Sequence, residues 1–120
     1  MIDVTTQEVR SIEIEDGLQA IYDAIGRGCE IFECPVHFVN GDVMHVDEEY
    51  LLKPELQGGF VFYDRILLGN AIITGTDAAG NTTDVKTLIE YIRSHVRFMT
   101  ASEAVEYRTN VIGMTFLPLN

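Results

Sequence analysis

The sequence predicts an α+β fold: a largely antiparallel sheet of about five or six strands, with two main helices and a short third helix on one face. Three observations lead there. The stretch Gly58 to Asp84 holds two runs rich in Phe, Val and Ile, each bounded by glycine, and β-branched and aromatic side chains suit a pleated, half-buried surface. An Asn40-Gly41-Asp42 turn between two extended runs signals antiparallel pairing. Apolar residues at helical spacing recur in two stretches, and a capping box marks a third, shorter helix.

In chain order, residues 2 to 5 and 8 to 14 read as extended segments around a polar break at Thr5, Thr6 and Gln7. In the second, Ile12 and Ile14 alternate with Glu13 and Glu15, the period of two of a strand whose glutamates face water. Asp16 is a good N-cap with Gln19 three residues on, and Leu18, Ile21, Tyr22 and Ile25 form one stripe, predicting a helix over about 17–25 that Gly26 ends. Residues 29 to 38 read as a strand in which Pro35 removes a ladder donor, pointing to an edge or a bulge. After the turn at Asn40 to Asp42, residues 43–46 resume the extended pattern. Asp47, Glu48 and Glu49 close it, and Tyr50, Leu51 and Leu52 lead towards Pro54 through a short turn of helix or an irregular loop.

Strands are expected at about 60–63 and 71–75, with Ile66 to Leu68 extended or in a turn between them. Asp77 to Asn81 is a loop in which Gly80 can take positive φ. Thr83 or Asp84 caps a helix over about 85–95, marked by Val85, Leu88, Ile89, Ile92 and Val96. Thr100 to Glu103 is a capping box for a short helix at 101–107, and Val111 to Leu117 reads as a last strand.

A chain of 120 residues, 47% hydrophobic, can build one domain with its own core. The first ten residues lack the charged start and apolar run of a signal peptide, and no run approaches the roughly 18 apolar residues that span a bilayer. A cytoplasmic protein that does not enter membranes is expected. In that setting Cys29 and Cys34 stay thiols. The formal charge is -11, from 8 basic and 19 acidic residues, which disfavours direct binding to nucleic acid or anionic lipid because neither could be neutralised. Residues 1 to 50 concentrate the imbalance, with 12 acids against Arg10 and Arg27.

Assembled chemistry is hard to find. Cys29, Cys34, His37 and His45 are zinc-type ligands at an irregular spacing, and no metal or cofactor is expected. Ser11, Ser94 and Ser102 lie in no strained strand-to-helix turn, and no histidine has an evident partner, so no nucleophile is set up. Carboxylate pairs such as Glu13 with Glu15, or Asp47 with Glu49, read as solvating groups on a polar face. Gly26-Arg27-Gly28 and Gly58-Gly59 form no phosphate loop, and residues 77–84 carry too few carboxylates for a calcium loop.

The segments IYDAIG, NGDVMHVDEEYLLK, LLGNAIITGTDAAGNTTDVKT and IRSHVRFM, in that order over most of residues 2 to 99, resemble a family of small phage and plasmid proteins, the domain of unknown function thirty-eight forty-six and its relatives. The resemblance implies a mobile-element setting inside a bacterial or archaeal host. It supplies no catalytic residues.

The expectation is a non-catalytic accessory protein that binds a basic host protein, such as a defence component, through an acidic surface. The contact residues would be Asp47, Glu48, Glu49 and Tyr50 at a strand end, with Glu13, Glu15 and Asp16. The alternative is a binder of a small molecule or nucleotide signal, with a pocket between subunits or under the loop from Leu51 to Gly59 and a basic patch from Arg65, Arg93, Arg97 and Arg108. An enzyme of unknown class is a residual reading. The same charge could serve solubility alone.

Overall fold

The computed structural model describes residues 1–15, 17–26 and 28–116, with side chains given to residue 111. Its strands are β1 (Ile2–Asp3), β2 (Glu8–Val9), β3 (Phe32–His37), β4 (Val43–Asp47), β5 (Gly59–Phe62), β6 (Arg65–Leu68), β7 (Ala71–Thr76), β8 (Thr82–Thr83) and β9 (Val96–Met99). Helices are α1 (Leu18–Ile25), α2 (Ile89–His95) and α3 (Ala101–Phe116), and a single 3-10 turn covers Tyr50–Leu52. This is the antiparallel α+β architecture expected from the sequence, divided into two sheets. A six-stranded sheet runs β2-β1-β7-β4-β3 with β8 on the end of β7, and a three-stranded sheet runs β6-β5-β9.

Alternation along β4 and β7 makes the larger sheet a divider between two cores. Met44, Val46 and Ala71 face one way and pack with Ile2, Phe60, Phe62 and Ile92, so the second sheet and α2 cover that face. Ile72 faces the other way and joins Ile21, Ile25 and Cys29, with Phe32 beside them, so α1 covers the opposite face. The helices therefore divide between the two faces and do not share one. One face of this strand pair is apolar, and the other mixes Ile72 with His45, Asp47 and Thr74, all of them buried.

Local expectations met long-range competition at several places. Residues 10–14 do not extend β2, because β1 is two residues long and offers no further pairing partner. Gly17 sits at the cap of α1 with no side-chain cap bond; Asp16, the expected cap, lies outside the described residues, as does Arg27. Pro35 produces both of its expected effects, since β3 is the outer strand and its register shifts between Glu33 and Val36.

The second helix begins at Ile89 and not at 85. Asp42, fully buried in the β3–β4 turn, accepts hydrogen bonds from the Lys86 amide at 3.0 Å and from the Thr87 amide and hydroxyl at 2.7 and 2.6 Å. Those bonds hold residues 86–87 outside any helix, and Val85 and Leu88 are left 46% and 76% exposed, off the apolar stripe assigned to them.

The capping box at Thr100 is real: each residue's backbone amide donates to the other's side chain at 3.1 Å. The helix it starts runs to Phe116, which overturns the expected strand over 111–116; Leu117 lies outside the described residues. Once nucleated, a helix gains a hydrogen bond per added residue. Its first turns dock Ala104 against Tyr50, Leu56 and Leu68.

Candidate functional site

The acidic run at the end of β4 is split by the fold. Asp47 is 5% exposed: its Oδ1 accepts from the Glu49 amide at 2.9 Å and its Oδ2 lies 3.7 Å from Lys53 Nζ. Tyr50 is buried as well, its hydroxyl accepting from the Gln57 amide at 2.8 Å. The Tyr50 ring lies so close over Gly69 that a Cβ there would sit 2.7 Å from it, and Gly69 holds a φ of 83°. Asp47 and Tyr50 therefore anchor the loop and are not available as contact residues. Glu48 is exposed and Glu49 partly so.

Glu13 and Glu15 are exposed, and they meet residues far from them along the chain. Together with Ile12, Ile14, Thr74, Thr82, Thr83, Asp84 and Val85 they line a cavity of about 550 Å³. Residues 12–15 form one wall, and β7 and β8 with Asp84 and Val85 form the other. Gly75 makes the second wall possible, because the Asp84 carbonyl oxygen occupies the space a Cβ at 75 would need. Three acidic residues and three threonines thus line one opening. The ion pairs among the described residues, Arg10–Asp3, Lys53–Asp47 and Arg93–Glu90, involve none of these carboxylates.

Thr74 connects this cavity to the sheet interior. Its hydroxyl is 2.9 Å from His45 Nε2, and His45 Nδ1 is 3.4 Å from Cys34 Sγ, a thiol–imidazole–hydroxyl chain laid across β3, β4 and β7. The β3–β4 register, Phe32 opposite Asp47 and Glu33 opposite Val46, sets Cys34 across from His45 just ahead of the bulge. The electrostatics oppose nucleophilic use. Burial, reinforced by the Glu33 carboxylate, pushes the Cys34 thiol above its ordinary 9.0. Burial, with His37 nearby, holds the His45 imidazole below 6.5. Both shifts favour neutral thiol and neutral imidazole, whereas cysteine catalysis needs the thiolate. Phe32 packs edge-on to the His45 ring at 5.0 Å, completing an apolar surround.

Cys29 lies apart from this chain, its thiol pointing to the Ile31 carbonyl at 3.6 Å and pushed up to about 11, first by burial and then by the Asp47 carboxylate. Among the described residues, no group of three or more His, Cys, Asp or Glu side chains could hold a metal ion, and no helix is long and apolar enough to cross a membrane. The basic patch considered from the sequence is partly committed to the backbone. Arg93 donates to the Val9 carbonyl at 2.9 Å, and Arg108 donates to the Lys53 carbonyl at 2.7 Å.

Comparison with known proteins adds one family. The model described as Domain of unknown function (DUF3846) matches residues 1–97, which include every element up to β9's first two residues and leave α3 outside the match. No curated protein and no solved structure matches the chain.

Proposed function

The chain belongs to the DUF3846 family, and from that premise we propose that it is a non-catalytic binding protein whose acid-rimmed cavity receives a cationic side chain of a basic protein partner. The observation that carries this reading is the convergence of Glu13, Glu15 and Asp84 on one opening, on a chain of formal charge -11. Arginine suits the site best. Its guanidinium offers five donors in a plane, enough to engage carboxylates and threonine hydroxyls together, and it sheds water more readily than an ammonium. The surplus negative charge steers such a partner from a distance, and the cavity sets register at contact. Glu48 and Glu49 would contribute to steering from the end of β4. The neutral Cys34–His45 pair supports a role without covalent chemistry. A mobile-element origin, a host protein as partner, a defence component among the candidates, and an encounter in the host cytoplasm belong to the same proposal.

A titration with an arginine-containing basic peptide tests it. The triple variant Glu13→Gln, Glu15→Gln, Asp84→Asn should weaken binding at least about tenfold and flatten its salt dependence while the protein stays folded. A control with the same charge change at exposed positions elsewhere, Glu8→Gln, Glu30→Gln, Glu106→Gln, should lose much less. Equal losses in the two variants would reduce the effect to net charge and defeat the reading.

A further inference from the structure

A second cavity, of about 350 Å³, lies between the β3–β4 turn and the β5–β6 turn, and differs in character from the acidic one. Its walls include Phe38, Phe62, Tyr63 and Tyr91, and Asp64 and Arg65 line it as well. The volume is within the range of small-molecule sites, and an apolar, aromatic lining with a few convergent polar groups is their usual make-up.

Tyr63 is the unusual residue. It occupies the two-residue turn between Phe62 and Arg65, which pair across β5 and β6, and holds a φ of 54°. Asn, Asp or Gly normally fills such a position, because a Cβ is strained in the left-handed region. The turn thus carries a bulky ring at a cost in backbone strain, and the ring is still 56% exposed. Its orientation is fixed from behind. Tyr63 stacks on His95 with ring centres 4.7 Å apart and planes 27° from parallel, Tyr91 lies 4.3 Å from the same imidazole, and the two tyrosine hydroxyls touch. Phe62 braces Tyr63 edge-on at 4.9 Å. Strain kept where it fixes an exposed aromatic surface is a sign of function.

The polar groups narrow the ligand. Asp64 accepts hydrogen bonds and Arg65 donates them, side by side at one end of an aromatic surface; neither takes part in an ion pair among the described residues. A simple anion would face Asp64 and the overall charge of -11, and a simple cation would face Arg65. A neutral planar ring whose edge carries both donors and acceptors satisfies both. We propose that this cleft binds a purine nucleobase, stacked on Tyr63 and Tyr91, with a ring N–H and the neighbouring amino group donating to Asp64 and the adjacent carbonyl accepting from Arg65. Guanine has that edge: adjacent N–H donors beside a carbonyl.

Amide-detected NMR titration of the intact protein with guanosine, adenosine, cytidine and uridine tests the assignment. Guanosine should bind most tightly and shift resonances of residues 36–39, 62–65 and 91. Asp64→Asn and Arg65→Gln should each weaken it by about tenfold. Tyr63→Asn should abolish binding while raising the melting midpoint, since asparagine suits the turn and removes the stacking surface. Guanosine 5′-phosphate should bind no more tightly than guanosine; a gain of tenfold or more would show that the cleft reads an anion. Four nucleosides that leave these resonances unmoved at millimolar concentration, or unchanged binding by the folded Tyr63→Asn variant, would overturn the proposal. The variant Glu13→Gln, Glu15→Gln, Asp84→Asn should bind guanosine as the parent does, which separates this site from the acidic cavity.

Discussion

Thr87 donates both its amide and its hydroxyl to a single oxygen of Asp42, at 2.7 and 2.6 Å across 45 positions of sequence. The carboxylate is fully buried and also accepts the Lys86 amide, so its removal leaves donors without an acceptor. Asp42→Ala should cost about 2–3 kcal/mol, the range for hydrogen bonds to a charged group lost from the interior. Chemical denaturation of the two proteins measures this. A loss below about 0.5 kcal/mol would mean that the 84–88 segment docks by other means.

The two ends of the apolar stripe assigned to α2 should behave oppositely. Ile92 is 4% exposed within the main core, and Ile92→Ala should destabilise by about 2–5 kcal/mol through the cavity it leaves. Leu88 is 76% exposed ahead of the helix, and Leu88→Ala should stay within about 0.5 kcal/mol. Comparable losses from both would contradict the late start of the helix.

Acid stability should depend on Asp3. Burial pushes its carboxyl up, but hydrogen bonds from Arg10, at 2.8 Å, and from the Thr6 and Thr5 amides outweigh burial and hold it below 3.8. A carboxyl depressed in the folded state contributes stability that is complete above its ordinary value and lost as pH falls through the folded one. Asp3→Asn should therefore lower stability at neutral pH and narrow its gap to the parent as the pH drops below about 4. A gap that is constant across that range would rule out this linkage.

Cys29 should resist alkylation in the native protein. With its thiol raised from 9.0 to about 11, the thiolate fraction at about pH 8 falls roughly a hundredfold, and labelling should slow at least as much relative to the unfolded chain. Mass spectrometry after timed iodoacetamide treatment, with Cys34→Ser to isolate the site, reads the rate. Labelling as fast as in denaturant would show an accessible, ordinary thiol.

Legibility in the sequence followed the range of the interactions. Pro35 and the Thr100 box act within a few residues, and their bulge and helix start could be read directly. The density of β-branched residues in β7 announced a sheet centre, and β7 is the strand that β1, β4 and β8 all join. The start of α2 could not be read, because Val85 and Leu88 keep perfect helical spacing and only Asp42, far away in sequence, decides otherwise. Glu13 and Glu15 were visible as an acidic pair, but Thr74 and Asp84 reach them through the β7–β8 pairing. Asp47 and Tyr50 looked like surface groups because burial of a carboxylate depends on Lys53 and the Glu49 amide arriving beside it. Tyr63 gave no signal at all: a left-handed tyrosine is invisible to propensity.

The bulge in β3 also bears on how copies of the chain meet one another. An outer strand with its amides and carbonyls in regular order is a template on which another chain can grow, the route to swapped dimers and fibrils. Here Pro35 removes one donor from that row and the shift between Glu33 and Val36 breaks its spacing, while the opposite border, β2, is two residues long. Both borders of the larger sheet are thus poor templates for a matching strand. Strand addition at either border of this sheet therefore offers a second copy few backbone partners.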